Sequence, residues 1–259
     1  MAVVGQNAIV TGASRGIGRA IAKGLIGDGL NVAVVARTEA ALKDLAQETA
    51  DAPGRAVVIP CDVSSAQNVK DMVATARQEL GEIHILVNSA GVLDNEGIAN
   101  HSDETWRWHY GVNVDSYFYT IREIIGEMFE RRSGRVVNII STSGKVAIGP
   151  NRAAYVSSKH ALMGLNREVA VEAAPHQVTV NAICPGFVLT DMVEDSMEKF
   201  ARDFEKTKEE TRQHFIEQIP MGRFIEPEEV VPVVRLLVSD GAGAITGQAI
   251  SVDGGFAPL

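Results

Sequence analysis

The stretch that decides the fold runs from residue 7 to residue 18 and reads NAIVTGASRGIG. Its first part, Asn7–Thr11, is apolar and predicts a short buried strand. Three glycines follow at once, at positions 12, 16 and 18, and a helical pattern starts among them. The apolar residues of that pattern fall on one helical face, at Ile17, Ile21, Leu25 and Ile26. A strand, a glycine turn and a helix in this order favour a phosphate-binding loop.

Glycines at a strand-to-helix turn let the backbone bend sharply and approach a pyrophosphate, which the helix N-terminus stabilises. The spacing here is G-x-x-x-G-x-G, whereas the commoner dinucleotide motif is G-x-G-x-x-G. An ordinary turn is the alternative interpretation. Three glycines where a helix starts are entropically costly, however, and an ordinary turn does not need them. The stretch therefore predicts a dinucleotide site.

The rest of the chain repeats this alternation of apolar segments and helical patterns. Further strands are predicted at Asn31–Ala36, Ala56–Pro60, 83–88, 136–140, 178–184 and 245–252, and helices at 39–50, 103–132 and from residue 155 onwards. Pro227 suits the first turn of a last helix, and Pro232 predicts a kink in that helix or a later start. The alternation predicts an α/β fold with a parallel, doubly wound sheet of the Rossmann type. With 259 residues, 46% of them hydrophobic, a single domain spanning 1–259 is expected.

Residues 191–219 differ from the rest of the chain in composition. They are rich in Glu, Lys, Arg and Asp, and their apolar positions are Met192, Met197, Phe200, Phe204, Phe215 and Ile216. This pattern predicts one or two amphipathic helices. A solvated insertion without function is the alternative. The position of the segment beside the candidate site favours a helical lid over that site.

The composition excludes several classes of function. A net charge of −9 argues against a nucleic-acid-binding protein, which needs a basic face. No apolar run reaches 18 residues and no basic segment precedes an apolar one at the N-terminus, so neither a membrane span nor a signal peptide is expected. Cys61 and Cys184 lie far apart, and each ends an apolar run, which predicts two buried thiols rather than a disulfide. A cytoplasmic protein is the expectation.

The chemistry is concentrated between residues 135 and 159. A predicted strand ends here in Ser141-Thr142-Ser143-Gly144, and Tyr155 and Lys159 follow at the spacing of one helical turn. An ammonium one turn from a phenol favours the phenolate, so the pKa of Tyr155 is expected to fall from about 10. A proton donor, a lysine that tunes it and a hydroxyl at the strand end predict a centre that reduces carbonyls or oxidises alcohols. A surface tyrosine beside a solvated lysine is the alternative.

The end of the second strand bears on the choice of dinucleotide. NAD-binding folds often carry an acid there for the ribose 2′-hydroxyl, but this chain has Ala36 followed by Arg37. Arg37 and Arg15 of the glycine loop suit a 2′-phosphate, since arginine binds phosphate in a bidentate manner. Two solvated arginines are the alternative. The sequence thus favours NADP(H) over NAD(H). Asp62, just past the third strand, either reaches the ligand or caps the helix that starts near Ser65.

In combination, the motifs of this chain resemble the short-chain dehydrogenase/reductase family. They are TGASRGIG at 11–18, CDVS at 61–64, NSAG at 88–91, Asn113, Ser141, Tyr155-x-x-x-Lys159 and CPG at 184–186. Each motif alone is weak, whereas seven in order along the chain are specific. One departure is NSAG, where the family usually has NNAG. Counting from the strand selects Ser141 as the family's serine, while counting back from Tyr155 selects Thr142 or Ser143.

The resemblance implies a role for each matching residue. Tyr155 would be the general acid and base, Lys159 would lower its pKa and hold the nicotinamide ribose, and Ser141 would bind the substrate oxygen. Asn113 would support a water that relays protons to Lys159. The residues that would bind the dinucleotide, besides Tyr155 and Lys159, are Gly12, Ser14, Arg15, Gly16, Ile17, Gly18, Arg37, Asp62, Val63, Asn88, Ala90, Gly91, Pro185, Gly186, Val188 and Thr190. No metal site is expected.

Three segments resemble 3-oxoacyl-(acyl carrier protein) reductases and aromatic polyketide ketoreductases, namely SKHALMGL, NAICPGFVLTDM and IPMGRFIEPEEV. The resemblance implies an NADP(H)-dependent reductase of a small-molecule carbonyl or alcohol. Carrier-protein reductases use two basic positions, of which Arg132 matches one while His176 stands at the other. His176 and the net charge of −9 argue against an acyl carrier protein partner. A small ketone, keto acid, cyclic alcohol or CoA thioester is then the expected substrate.

Two other functions compete with this interpretation. One is an NAD-dependent dehydrogenase of a small hydroxy acid or cyclic alcohol. The other is a regulator that binds a dinucleotide without catalysis, although such a protein has no need of Asn113, Ser141, Tyr155 and Lys159 together. Residues 121–129 carry an apolar stripe that predicts either core or a subunit interface. On a monomer this stripe would form a wide apolar face, which is unusual for a soluble protein. Together with the family resemblance, the stripe therefore predicts a homotetramer.

Overall fold

A computed structural model describes residues 6–147 and 149–257 of the chain. The two ends of the predicted domain 1–259, including residues 1–5, and residue 148 lie outside the described residues. The strands are β1 (Asn7–Thr11), β2 (Asn31–Ala36), β3 (Ala56–Pro60), β4 (Ile85–Asn88), β5 (Gly134–Ile139), β6 (Val178–Pro185) and β7 (Ala249–Val252). The helices are α1 (Gly16–Gly27), α2 (Glu39–Glu48), α3 (Ala66–Leu80), α4 (Asp103–Tyr110), α5 (Ser116–Glu130), α6 (Ala153–Ala173), α7 (Asp191–Asp203), α8 (Lys208–Gln218) and α9 (Val231–Val238).

The strands pair in parallel in the order β3-β2-β1-β4-β5-β6-β7. The chain builds outward from β1 to β3, then crosses to β4 and builds outward in the other direction. The carboxyl ends of β1 and β4 therefore flank the point where the strand order reverses, which is where ligands bind in open α/β sheets. The prediction of a doubly wound parallel sheet is confirmed.

The apolar residues form two layers, one on each face of the sheet. One layer packs α1, α2 and α9 against the sheet, and the other packs α3, α5 and α6 against its opposite face. Burial on both faces explains why the strands are apolar runs rather than alternating patterns. The predicted stripe of α5 belongs to the second layer, where Ile121, Ile124 and Met128 are buried. That stripe is core, so it does not form an exposed apolar face.

The element bounds depart from the sequence-based expectations at a few places. The predicted helix over residues 103–132 is interrupted by a π-helical turn, Gly111–Asp115, between α4 and α5. The last strand starts at Ala249 rather than at residue 245, because Gly247 has a φ of +71° that breaks the extended backbone. Pro227 opens a short 3₁₀ turn, and Pro232 lies in the first turn of α9, so the later start is the correct alternative.

The predicted lid consists of two helices, α7 and α8. Phe200 of α7 and Phe215 of α8 meet edge to face, with ring centroids 5.2 Å apart, and Phe187 stacks on Phe215 at 4.7 Å. Together with Met197, Ile219 and Phe224 they form a separate apolar cluster beside the main core. Among the described residues, no helix combines the length and apolar character that crossing a bilayer requires.

The turns after β1 and β4 are in direct contact. A Cβ atom at Gly12 would stand 2.8 Å from the backbone of Ser89 and Ala90, and one at Gly18 would stand 2.3 Å from the carbonyl oxygen of Gly12. The Thr11 hydroxyl accepts hydrogen bonds from the Ser89 and Ala90 amides at 3.0 and 3.3 Å. Glycine at positions 12 and 18 is therefore a packing requirement of the sheet edge.

This contact predicts opposite effects for two glycines of the same helix. Gly18→Ala should lower the free energy of unfolding by about 1–3 kcal/mol, because the new methyl group overpacks against backbone. Gly27→Ala is the matched control, since a Cβ there meets nothing within 4 Å and alanine should stabilise by about 0.5 kcal/mol. Urea denaturation of both variants measures the difference. Equal effects of the two substitutions would contradict the packing argument.

Candidate active site

A cavity of about 630 Å³ runs along the carboxyl edge of the sheet, from the β1–α1 turn to α7. Its wall brings together most of the residues that the sequence singled out, with the exceptions of Asn88 and Asn113. The predicted site residues that line it are Gly12, Ser14, Arg15, Gly16, Ile17, Gly18, Arg37, Asp62, Val63, Ala90, Gly91, Ser141, Tyr155, Lys159, Pro185, Gly186, Val188 and Thr190.

The glycine turn forms one part of this wall and has the shape of an anion cradle. Gly12 and Gly16 have φ values of +68° and +55°, which other residues rarely adopt. Arg15 occupies the N-cap position of α1, and no acid lies in the first turn of that helix. The amide groups at the start of α1 thus border the cavity with a positive partial charge. These residues fit a dinucleotide pyrophosphate.

The ends of β2 and β3 line the same cavity through Ala36, Arg37 and Asp62. Asp62 does not cap α3, because the cap is Ser65, whose hydroxyl accepts from the Asn68 amide at 3.3 Å. The Asp62 carboxylate instead accepts from the Ser64 hydroxyl at 2.7 Å and from the Ser64 amide at 3.0 Å, and these bonds lower its pKa. Asp62 is therefore held in place at the cavity wall.

Arg15 already has a partner in the lid. Its Nη1 lies 3.0 Å from Oδ2 of Asp195 on α7, and both side chains are more than half exposed. Ion pairs this exposed contribute little to stability. The predicted phosphate ligand Arg15 therefore also ties the glycine turn to the lid.

Ser141, Tyr155 and Lys159 meet because β5 ends beside the start of α6. The Ser141 hydroxyl faces the Tyr155 phenol and lowers its pKa, and it also accepts from the Ser143 amide at 3.0 Å. Thr142 and Ser143 line the cavity as well. The hydroxyl that interacts with Tyr155 is that of Ser141, the residue that counting from the strand selects over Thr142 and Ser143.

The electrostatics of the pair differ from the sequence-based expectation. Burial raises the pKa of Tyr155, and the hydrogen bond from Ser141 and the charge of Arg152 only partly oppose this. Lys159 is 4% exposed, and burial lowers its pKa to about 8. Its Nζ lies 5.6 Å from the ring centroid of Tyr155 and 5.9 Å from that of Tyr117. Lys159 is thus a buried cation next to two phenol rings.

Asn113 lies behind the cavity wall, in the π-helical turn. Its amide nitrogen donates to the Val92 carbonyl at 3.0 Å and to the Ser158 hydroxyl at 3.1 Å, while its oxygen accepts from the Val92 amide at 2.8 Å. A Cβ at Gly91 would stand 3.5 Å from both Asn113 Oδ1 and Lys159 Nζ. Asn113 therefore fixes the turn after β4 next to Lys159.

Asn88 does not line the cavity either. Its amide nitrogen donates to Asn138 Oδ1 at 3.1 Å, and its oxygen accepts from the Thr120 hydroxyl at 2.8 Å. Asn138 in turn donates to Asn166 at 3.0 Å. This buried chain of side chains links β4 and β5 to the helices on one face of the sheet. The side chain of Asn88 is thus engaged by Asn138 and Thr120 within the buried part of the sheet.

Several residues of the cavity wall escaped the sequence analysis. They include Leu93, Arg152, Phe187 and Val193, whereas Met192 and Phe200, which also line the cavity, were predicted only as apolar positions of the lid. Val193 lies in the segment predicted as an amphipathic lid, while Leu93 and Phe187 carried no signal of a place in the site. Arg152 carried none, because a single arginine before a helix gives no sign of whether it points inward. The two positions predicted to matter for a carrier protein lie together: Arg132 Nη2 donates to the Pro175 carbonyl at 3.0 Å, and His176 stacks on Phe129 at 4.2 Å.

Comparison with known proteins extends over nearly the whole chain. A family model described as enoyl-(acyl carrier protein) reductase matches residues 12–257. The D-β-hydroxybutyrate dehydrogenase of Rhizobium meliloti strain 1021 is 37% identical over 254 residues, which are 97% of this chain and 98% of the relative. The 3-oxoacyl-[acyl-carrier-protein] reductase of Synechocystis sp. strain PCC 6803 is 34% identical over 257 residues, 98% of each chain.

A solved structure shares the complete fold. The actinorhodin polyketide ketoreductase, in a variant determined with NADPH, superposes with a TM-score of 0.93 at 35% identity and covers 98% of both chains. A short-chain type dehydrogenase/reductase from Mycobacterium marinum superposes with a TM-score of 0.90 at 32% identity, covering 99% of this chain and 97% of its own. From its family match, its relatives and its fold, the chain belongs to the short-chain dehydrogenase/reductase family of oxidoreductases.

Proposed function

We propose that this protein transfers a hydride between NADP(H) and a free small molecule that carries a ketone or a secondary alcohol. The observation that carries the proposal is the presence of Ser141, Tyr155 and Lys159 in one cavity with the glycine turn. A proton donor then faces the same space as the anion cradle. The catalytic set and the dinucleotide site would belong to one domain, 1–259.

The residues present fit a phosphorylated dinucleotide. The pyrophosphate would lie on the glycine turn, at Gly12, Gly16 and the start of α1, where backbone amides and the helix dipole favour negative charge. A 2′-phosphate would meet Arg37 and no carboxylate at the end of β2, since Ala36 stands at that position. The actinorhodin ketoreductase was determined with NADPH, which supports the same choice here.

The chain's own residues would handle the proton. When bound, the reduced cofactor supplies the hydride that the carbonyl carbon accepts. The Tyr155 phenol would donate its proton to the carbonyl oxygen, and the Ser141 hydroxyl would donate a hydrogen bond to that same oxygen. The product is the alcohol, and in the reverse direction the Tyr155 phenolate would take the proton back.

Lys159 would stabilise the phenolate that remains after proton donation. With a pKa of about 8, Lys159 is mostly protonated at neutral pH and supplies a buried positive charge beside Tyr155. Burying an ammonium is costly, and a protein that only senses a dinucleotide has no need of Ser141, Tyr155 and Lys159 together. This argues for an enzyme over a regulator that merely binds the dinucleotide.

A free substrate is favoured over one held by an acyl carrier protein. An acidic carrier requires a basic surface, but Arg132 already donates to Pro175 and its neighbour His176 is stacked on Phe129. The net charge of −9 would also repel an acidic partner. The relatives named as carrier-protein reductases therefore share the reaction type rather than the partner.

A homo-oligomer, and by family a tetramer, is part of the proposal. The support is a set of exposed aromatic side chains on neighbouring helices, Trp106 and Trp108 on α4 and Phe118 on α5, each about 40% exposed. Exposed aromatic groups of this kind are enriched at interfaces. Two free buried cysteines, Cys61 and Cys184, accord with the proposed cytoplasmic location, which is reducing.

Tyr155→Phe should abolish turnover while cofactor binding survives. The substitution removes the transferable proton but keeps the ring, so kcat should fall by about 10²–10⁴-fold. Tyr119→Phe is the control, because Tyr119 lies on α5 away from the cavity wall. Stopped assays with NADPH and a ketone panel measure kcat, and fluorescence titration measures NADPH binding. A Tyr155→Phe variant with near-normal kcat at neutral pH would refute the role given to the phenol.

The second prediction concerns the choice of cofactor. A single well-formed charge-assisted hydrogen bond to the 2′-phosphate gives about a tenfold preference for NADPH over NADH in kcat/KM. Arg37→Asp should reverse this preference, because a carboxylate accepts from the ribose 2′-hydroxyl and repels a phosphate. Lys43→Asp makes the same charge change on α2 outside the cavity wall and should leave the preference intact. A wild-type enzyme that prefers NADH would instead support the oxidative, NAD-dependent alternative.

Light scattering at micromolar concentration should give about four times the chain mass of 27.7 kDa. Phe118→Asp places a charge on the exposed face of α5 and should lower the measured mass by weakening the assembly. A wild-type mass equal to that of one chain would show that the exposed aromatic residues of α4 and α5 face solvent in the working protein.

A further inference from the structure

Arg152 is a charged residue of the cavity wall that has no role in the functions described so far. It occupies the N-cap position of α6, three residues before Tyr155, and it lines the same cavity. Only 8% of its surface is exposed, whereas Arg15 and Arg37, the other two arginines of the wall, are exposed. Arginine is almost never buried this far without a partner for its charge. The proposed dinucleotide site and proton transfer do not use it.

The guanidinium has no hydrogen-bond partner in the described part of the chain, and its Nε is buried without one. Its central carbon lies 4.7 Å from the ring centroid of Phe200 on α7, so one face rests on an aromatic ring. Burial lowers the pKa of Arg152, and the charges of Tyr155 and Asp203 oppose this without reversing it. A buried cation in this state stabilises an anion that enters the cavity beside it.

Asp191, the first residue of α7, lines the cavity but forms no ion pair with Arg152 among the described residues, and other acidic groups of the lid and of the loop after β4 have partners of their own. Asp94, on the loop after β4, pairs with Lys199 of α7, and Glu194 pairs with Arg212 of α8. Glu96 meets Arg152 through the backbone, in a single strand-like bridge. Asp203, at the end of α7, is exposed and forms no ion pair among the described residues. The charge of Asp203 opposes the effect of burial on Arg152, but no carboxylate in the described part of the chain forms an ion pair with the guanidinium.

We infer that Arg152 binds the carboxylate of the substrate, and that the substrate class is a short oxo acid and the corresponding hydroxy acid. The inference rests on the proposed function and narrows it. Residues three apart on a helix are neighbours, so the anion lies within a few carbon atoms of the oxygen that Tyr155 protonates. The phosphate of a CoA or carrier arm lies much farther from its carbonyl, which favours a free carboxylate.

The rest of the wall suits the hydrocarbon part of such a molecule. Leu93, Phe187, Met192 and Val193 line the cavity together with Phe200. Among the described residues of the cavity wall, the cations that accompany Tyr155 on α6 and at its start are Arg152 and Lys159. Two polar contacts would then orient the substrate. Its carbonyl oxygen would lie at Ser141 and Tyr155 and its carboxylate at Arg152, while its hydrocarbon part would contact the apolar side chains of the wall.

The test compares pairs of substrates that differ only in charge. A series of 2-, 3- and 4-oxo acids and their methyl esters is assayed for kcat/KM with NADPH and with NADH. The acid should be preferred by wild type, and Arg152→Met should reduce the acid-to-ester ratio by roughly 10- to 100-fold. Any effect of Arg152 on the proton affinity of Tyr155 acts on both members of a pair and cancels in the ratio.

Two further variants keep the result interpretable. Arg152→Lys retains the charge but loses the bidentate geometry, so it should recover part of the preference for the acid. Arg167→Met removes an exposed arginine from the same helix, outside the cavity wall, and should leave the ratio as in wild type. A ratio that Arg152→Met does not change would overturn the inference, while turnover of the esters would leave the proposed function standing.

A binding measurement separates the inference from the proposed function. Calorimetric titration with butanoate and with methyl butanoate needs no turnover. Binding of butanoate to wild type and to Arg167→Met, but not to Arg152→Met, would support the carboxylate site even if no oxo acid were reduced, in which case the proposed function would fail alone. Equal binding of butanoate to wild type and Arg152→Met, or no binding to either, would overturn the inference.

Discussion

The contact between the turns after β1 and β4 is the constraint on which the rest of the structure depends. Gly12 and Gly18 have no room for a side chain, because backbone atoms lie within 3 Å of where a Cβ would be. The Thr11 hydroxyl joins the two turns by hydrogen bonds to backbone amides. This close approach brings the start of α1 and the loop after β4 to the same sheet edge. The cavity lies along that edge, so its phosphate-binding part and its catalytic part share one rigid support.

Burial of charge gives the site its chemical character. Lys159 and Arg152 are both nearly inaccessible, and burial lowers the pKa of each. Two buried cations without described carboxylate partners reduce stability, and they persist in enzymes where they act on a ligand. Both lie near Tyr155, whose own pKa burial raises. The two cations are thus placed to stabilise negative charge that develops in the reaction and negative charge on the substrate. They form no ion pair with a carboxylate of the described chain.

Two kinds of contact hold the lid in place. Aromatic packing fixes its interior, and ion pairs fix its edges. Phe187, Phe200 and Phe215 form the interior of the lid cluster, so α7 and α8 are attached to the chain after β6 by apolar contacts. At the edges, Asp195 pairs with Arg15 of the glycine turn, and Lys199 pairs with Asp94 of the loop after β4. These pairs connect the lid to both ends of the cavity. A lid so attached can respond to ligands at either end.

The sequence by itself determined the fold class and the strands, because these depend on local periodicity, and it placed the glycine turn and Arg37 at a ligand site from their positions after strands. The resemblance to a known family supplied others of the 18 predicted residues that line the cavity, among them Val63, Val188 and Thr190. The sequence also identified the pair Tyr155 and Lys159, since helical spacing alone brings them together. The choice of Ser141 followed from counting along the sequence from the strand, and the tertiary structure shows the interaction with Tyr155. Only the tertiary structure decided that the stripe of α5 is core and that the side chains of Asn88 and Asn113 lie behind the cavity wall. It alone placed Arg152 inside the cavity. Whether a side chain is buried, and beside which charge, depends on segments far apart in the chain, and no local pattern records their approach.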